Sequence, residues 1–468
     1  MRGWVKGFAV LVAGMGVAMP LAAQAKHATM YLTTADRRAL LAEQPEMKAG
    51  KIDASVETIS IEPEQTMQTI DGFGFAMTGG SAQLLMKMEA PARAALLQKV
   101  FGSGKDDIAT SYLRLSIGAS DMNERVFTYD DVPDGEQDPT LAHFDLGPDM
   151  KDVVPVMKQV LAINPKIKIL ASPWTAPSWM KTNGGVKGGS LKPEFYAVYT
   201  QYFVKYLQAM RSEGVPIEAI TVQNEPGNDK NTPSLVMSSR EQEEFIRSAL
   251  GPALAKAGLT TKIILFDHNC DLPEYPIAVL SDPEAARFVD GSGFHLYLGT
   301  IDAMTEVHEA FPHKNLYFTE QMTVEAPTGG ALKPIEEPVS RVFLGAMRNW
   351  SRNVLLWNLA ADPAFGPHTG DGGCPVCQGA VTIDGNVATP NIAFYAVGQV
   401  AKFVPPGSVR VGSNELGSLP NVAFRRPDGK LAIVVANDGA GARTFALRQG
   451  IRALPVNLPG HAVATVVW

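Results

Sequence analysis

Between about residue 68 and residue 361 the chain alternates between two hydrophobic periods. Short runs that are apolar at nearly every position, rich in β-branched residues and leucine, predict strands buried on both faces. They read TIDGFGFAM (69–77), SYLRLSIGA (111–119), IKILASPW (167–174), IEAITVQNE (217–225), KIILFDHN (262–269), DGSGFHLY (290–297), NLYFTEQM (315–322) and NVLLWNLA (353–360). The intervening segments, such as LKPEFYAVYTQYFVKYLQAMRSEG (191–214), carry apolar residues at helical spacing. Alternating strand and helix implies a parallel sheet, and eight repeats predict a closed (β/α)8 TIM barrel with several extended loops.

The flanks follow a different pattern. Residues 52–66 alternate apolar and polar, and residues 406–468 break into short strands with turn signals such as Pro427-Asp428-Gly429. One small β-sandwich built from both chain ends and packed on the barrel accounts for both. The expected division is 1–25 signal peptide, 26–66 N-terminal strands of the sandwich, 67–395 catalytic barrel and 396–468 C-terminal sandwich. No long Gly/Ser linker separates the modules, so they are expected to move as one body.

The N-terminus fixes the expected compartment. Arg2 and Lys6 precede the apolar run FAVLVAGMGVAMPLA and the small-residue site Ala23-Gln24-Ala25, the layout of a secretory signal peptide cleaved near Ala25. Removing residues 1–25 takes away two basic residues and no acid, moving the formal net charge from -7 to -9. No basic patch invites nucleic acid, and no later run reaches the length of a membrane span. The expected product is exported, periplasmic or secreted, with no integral membrane association.

Three cysteines remain: Cys270, Cys374 and Cys377. The CPVC pair has the spacing of a redox or zinc motif, but zinc would need a second pair and none exists. In an oxidising compartment the simplest reading is a disulfide between Cys374 and Cys377 that staples a loop; a thiol relay is the alternative.

Polar residues gather where the apolar runs end: Asp121, Trp174, Asn224 with Glu225, 267–269, His295 with Tyr297, Glu320, and Trp357 with Asn358. In a barrel that end carries the chemistry. Glu225 and Glu320 lie 95 residues apart, about three βα units at roughly 30 residues each, which sets them across the mouth from one another. Two facing carboxylates suit glycoside hydrolysis, one protonating the departing oxygen and the other attacking the anomeric carbon or activating water. We assign Glu320 as nucleophile and Glu225 as acid/base, with the charge of Glu320 expected to raise the Glu225 pKa. Asn224, beside the acid/base, is placed to bind a sugar 2-hydroxyl.

The stretches IDGFGFAMTGGSA (70–82), RLSIGASDMN (114–123), ASPWTAPSWMKTNG (171–184), TVQNEPGN (221–228), GFHLY (293–297), YFTEQ (317–321), WNLAAD (357–362), GGCPVCQGAVTIDG (372–385) and VGQVAKFVPPGSVRV (397–411) resemble glycoside hydrolase family 30. That family includes glucosylceramidases, related β-glucosidases and endo-β-1,6-glucanases. The resemblance implies a (β/α)8 barrel with an attached β-sandwich, retention of configuration, Glu225 as acid/base and Glu320 as nucleophile. It also implies that Asp121, Trp174, Asn224, His295, Tyr297, Trp357 and Asn358 line the sugar pocket. Asp121 can accept two sugar hydroxyls, and Trp174 and Trp357 offer flat apolar faces to a pyranose; Trp179 is expected to be more buried. Phe365 and Cys270 depart from the family pattern, on loops that shape the leaving-group side.

The expected substrate is a β-linked carbohydrate or glycolipid, either a glucosylceramide-type β-glucoside or a β-1,6-glucan, with no cofactor and no metal. The alternatives are the same machinery on a β-xyloside or β-fucoside, and a silent carbohydrate-binding barrel, which predicts loss of Glu225 or Glu320. A metal-dependent hydrolase using Asp267, His268 and Asp271 is a third, but no second ligand cluster of the usual spacing accompanies them.

Overall fold

A computed structural model describes residues 27–50, 55–325 and 333–468; the expected signal peptide lies outside the described residues. The predicted barrel forms from β1 (Gly72–Met77), β2 (Tyr112–Ile117), β3 (Lys168–Pro173), β4 (Ala219–Thr221), β5 (Lys262–Cys270), β6 (Val289–Gly299), β7 (Asn315–Glu320) and β8 (Ser351–Asn358). Neighbours pair in parallel and in chain order, and β8 closes on β1 through Asn353 opposite Gly72. The expected helix over 191–214 runs Tyr196–Ser212, with Tyr199, Phe203, Tyr206, Leu207 and Met210 buried along one stripe.

Alternation along the strands builds the barrel interior in layers. Tyr112, Leu170, Ala219, Ile264, Tyr317 and Leu355 form one buried apolar cluster. Two residues further along each of five of these strands stand Arg114, Ser172, Thr221, Thr319 and Trp357. The plug therefore turns from apolar to polar within one step, and the polar layer is the floor on which the site is built.

Two strand boundaries differ from the sequence pattern. The run 69–77 divides: Thr58–Thr69 is a long sandwich strand, and β1 begins only at Gly72. Ile70 and Asp71 form the junction, where Asp71 accepts from Arg352 Nε and Nη2, both at 2.9 Å, and from Lys168 Nζ at 2.8 Å. The run 217–225 keeps only three residues in the ladder. Beyond Thr221 the backbone changes partner residue by residue: Val222 N donates to Ile264 O, Asn224 N to Pro173 O and Glu225 N to Asp267 O.

The sandwich is assembled from both ends of the chain. His27–Thr33 pairs antiparallel with Ala462–Val467, which pairs in turn with Leu431–Asn437. Thr58–Thr69 pairs with Val409–Ser413 on one side and Arg443–Gln449 on the other. Its core contains Ile59, Ile61, Ile433, Val435, Phe445, Leu447, Val456 and Val466. The expected boundary at 395 falls inside the helix Ile392–Ala401, which the sandwich grips through Thr465 Oγ1 donating to Gln399 O at 2.6 Å, while Arg410 Nη1 donates to Met347 O at 2.7 Å.

Candidate active site

The polar floor is organised by one cation. Arg114 is fully buried on β2. Its Nη1 donates to Glu320 Oε2 at 2.6 Å, its Nη2 to Asn224 Oδ1 and Asp267 Oδ2, both at 2.7 Å, and its Nε to Ser172 Oγ at 3.1 Å. A charge on the inner face of a barrel strand is tolerated only when paired and hydrogen-bonded, and here every arm of the guanidinium is. Its plane also lies over Trp174, 4.9 Å from the ring centre.

Asp267 is the matching anion. It accepts from Arg114, from Thr319 Oγ1 at 2.6 Å, Thr221 Oγ1 at 2.7 Å and Ser172 Oγ at 3.1 Å, and from His295 Nε2 at 3.0 Å. Burial raises its pKa, but Arg114, His295 and Thr319 hold it well below the usual carboxylate range. Asp267 is thus a fixed counter-charge beneath the pocket.

Above this floor stand the two glutamates. The register of β6 against β7 sets His295 beside Glu320. Glu225 follows the irregular end of β4 in a left-handed conformation, φ 45°, strain that the surrounding backbone bonds hold in place. One carboxylate oxygen of each glutamate and a ring nitrogen of His295 lie within 4.8 Å of one another. His295 Nδ1 is 3.3 Å from Glu225 Oε1. Glu225 Oε2 accepts from Asn228 Nδ2 at 2.7 Å and Asn231 Nδ2 at 3.3 Å, and Glu320 Oε1 accepts from Tyr297 Oη at 2.9 Å.

The protonation pattern differs from the sequence expectation. Burial raises the Glu225 pKa, but the hydrogen bond and charge of His295, with His268 and Asn228, outweigh it and take it down to about 2. It is Glu320 that is raised, by burial first, with Glu225 and Asp267 adding to the rise against the opposing pull of His295 and Arg114. The cause is His295, whose burial penalty is overcome by Glu320, Asp267 and Glu225 so that its pKa is pushed up to about 9. With Nε2 held by Asp267, the second ring proton faces Glu225. Imidazolium beside carboxylate and imidazole beside carboxylic acid carry the same total charge, so the pair holds one transferable proton. A ligand that expelled water would disfavour the charge-separated form and so favour the proton on Glu225.

The remaining expected residues take distinct places. Asp121, Tyr297 and Trp357 line a 390 Å³ cavity with Glu225 and Glu320. Burial, then the charges of Glu320 and Glu225, push the Asp121 pKa up to about 8, so at neutral pH it can donate as well as accept. Trp174 lies beneath, stacked on Trp357 with ring centres 5.3 Å apart, and its Nε1 has no hydrogen-bond partner among the described residues. Trp179, expected to be the more buried, is 8% exposed against 1% for Trp174; its Nε1 donates to Asp130 O. Asn224 is held by Arg114. Asn358 is buried behind the cavity wall, its Oδ1 accepting from Thr78 and Ser81 and its Nδ2 donating to Cys377 O at 3.5 Å. Cys374 and Cys377 form the expected disulfide and Cys270 is a buried free thiol. Phe365 adopts φ 66°.

Arg114, Asn228 and Asn231 were not singled out by sequence. An arginine inside YLRLSI was the available signal, because a charge in a strand buried on both faces requires buried partners. The donor set speaks against a resident cation. Glu225 and His295 are bonded to each other, Glu320 is bonded to the Arg114 cation and to Tyr297, and Asp267 is committed to Arg114 and His295.

Comparison with known proteins agrees with the geometry. The glycosyl hydrolase family 30 TIM-barrel domain model matches residues 70–404, and the glycosyl hydrolase family 30 beta sandwich domain model matches residues 407–466. The endo-1,6-beta-D-glucanase neg1 of Aspergillus fumigatus is 34% identical over 395 residues, covering 79% of this chain and 78% of that protein. The lysosomal acid glucosylceramidase of Mus musculus is 30% identical over 456 residues, covering 90% and 86%. Among solved structures, the endo-beta1,6-glucanase BT3312 superposes with a TM-score of 0.87 at 33% identity, over 94% of this chain and 99% of that one. The barrel and the sandwich coincide with those two matches along nearly the whole described chain, and the chain belongs to glycosyl hydrolase family 30.

Proposed function

We propose that the protein is a retaining β-glycosidase that cleaves β-glucosidic bonds by double displacement, with Glu320 as nucleophile and Glu225 as acid/base. The approach of the two carboxylates, within 4.8 Å at their near oxygens, carries this reading. Retaining enzymes keep their carboxyl groups about 5 to 5.5 Å apart, whereas inverting ones need roughly 6.5 to 9.5 Å to admit a water between them. In the first step Glu320 attacks the anomeric carbon while Glu225, supplied from its pair with His295, protonates the leaving oxygen. In the second, Glu225 takes a proton from water as that water releases the sugar from Glu320.

The leading substrate is a β-1,6-linked glucan. The amides Asn228, Asn231 and Asn269 line the cavity and suit a hydroxylated leaving group, and the Aspergillus fumigatus relative is an endo-1,6-beta-D-glucanase. A glucosylceramide-type β-glucoside is the second reading, favoured by the apolar rim of Leu298, Met322 and Pro375, with Leu298 58% exposed. Export to the periplasm or medium follows from the N-terminal signal pattern; none of the helices among the described residues is long and apolar enough to cross a membrane.

A panel of β-linked glucosyl substrates, including a β-1,6-glucan and glucosylceramide, read by product size and anomeric configuration, tests the reading. Retained configuration is expected, and an inverted product would refute double displacement. Glu320→Gln is expected to lose at least about 1000-fold in kcat on every active substrate, since the covalent step has no other nucleophile.

A further inference from the structure

The loop after β8 carries a staple that the proposed chemistry does not use. Cys374 and Cys377 are disulfide-bonded, and Gly373, Cys374, Pro375 and Cys377 face the same cavity as Glu225, Glu320 and Asp121. Cys377 is buried in a cluster with Trp174, Trp357, Ala76 and Met122. The flanking residues reach three other loops. Thr369 N donates to Asp121 O at 2.9 Å, and Thr232 N donates to Gly372 O at 3.2 Å. Thr369 Oγ1 donates to Thr232 O at 2.7 Å, and Glu325 N donates to Gln378 Oε1 at 2.8 Å. The stapled turn is thereby fastened to the segments that follow Asp121, Glu225 and Glu320.

Its small span points to a local task. A cross-link stabilises a fold mainly by restricting the unfolded chain, and that effect shrinks with the loop it closes; here the cysteines are three positions apart. What the bond does restrict is the turn whose Cys374–Pro375 edge stands in the cavity wall. A general acid faces the departing oxygen. The wall tied to the Glu225 loop through Thr232 therefore borders the leaving group.

Building on the assignment of Glu225 as acid/base, we propose that the Cys374–Cys377 disulfide is a specificity-determining element. It fixes the wall on the leaving-group side and sets the affinity for a second glucosyl residue, acting by position and taking no part in the chemical step.

The test compares the wild type with Cys374→Ser/Cys377→Ser in the full chain, on an aryl β-glucoside and on a β-1,6-linked gluco-oligosaccharide. For the oligosaccharide the variant is expected to raise KM by about fivefold or more, with kcat within about twofold and aryl glucoside kinetics within about twofold of wild type. Dithiothreitol provides a second arm that needs no variant. It gives two electrons and two protons to the protein disulfide, producing two thiols while it closes to its own cyclic disulfide. The same rise in KM is expected in the wild type, reversed on reoxidation and absent in the double variant. An unchanged oligosaccharide KM in both arms overturns the proposal, as does an equal fall in kcat on both substrates. Full activity of Glu225→Gln on the oligosaccharide removes the acid/base reading instead, and the proposal with it.

Discussion

Replacing Arg114 by methionine removes the guanidinium bonded to both Asp267 and Glu320 in the barrel interior and leaves His295 alone to face the two charges. Breaking a buried pair by removing one partner costs about 3 to 5 kcal/mol, and here one guanidinium serves two carboxylates and Asn224. Arg114→Met is expected to lower stability by at least that amount in urea melts; a change under about 1 kcal/mol would show the network to be dispensable. His295 governs the pH profile. With its pKa pushed up to about 9, the shared proton is present at neutral pH and lost as pH rises past 9, so kcat/KM of the free enzyme should fall there. His295→Asn removes the cation that does most to hold Glu225 low, leaving burial opposed by only His268 and Asn228, and the basic limb should move to lower pH. A basic limb unchanged in that variant would contradict the shared-proton account. Glu225, Glu320, His295 and Tyr297 were legible in the sequence because each breaks an apolar run at its end. The protonation order was not, because it depends on which ring nitrogen Asp267 holds.

At the level of elements, the eight runs announced the barrel and their helical spacers announced its parallel order. The ends of those runs were blurred for physical reasons. Strand β4 leaves its ladder after Thr221 and the chain bends, yet the backbone donations of Val222, Asn224 and Glu225 still tie it between β3 and β5, so its buried residues keep the apolar pattern of a strand. At the other boundary one apolar run serves two modules, turning at Ile70 and Asp71 between Thr58–Thr69 and β1. Asp71 is the clasp of that turn, bound by Arg352 from β8 and Lys168 from β3 while only 3% exposed. Asp71→Asn keeps the shape and removes the charge. A loss of about 3 kcal/mol in stability, with little effect on KM, is expected because the clasp lies at the opposite end of the barrel from the cavity. A rise in KM matching the loss of stability would argue that the seam also shapes the pocket.

For the whole molecule, several buried acids set how stability responds to pH. Burial pushes Asp149 up to about 8 against the hydrogen bond from Tyr129, and Asp121 is likewise pushed up to about 8. The folded protein therefore keeps two protons that unfolded chains, with Asp near about 3.9, release. Stability falls as pH rises from 4 through 8, and His295 adds to the fall between its unfolded value near about 6.5 and its folded value. Lys181, lowered to about 7 by burial, acts in the opposite sense only above that pH. Calorimetry from pH 5 to 7 should show a declining melting temperature, and Asp149→Asn should flatten the slope by about one proton's worth, about 1.4 kcal/mol per pH unit. A melting temperature flat across that window would exclude these buried protonated acids.

The placement of the final described strand also orders events in time. Ala462–Val467 lies between His27–Thr33 and Leu431–Asn437, so the first described strand, flanked on its other side by Ala42–Glu43, emerges from the ribosome long before this partner exists. Barrel strands pair with their successors as they appear, but the sandwich edge must wait, open, for Ala462–Val467 to be made. Its closure comes late in synthesis, and until then that unpaired edge is the part of the newborn chain most in need of shelter from other chains.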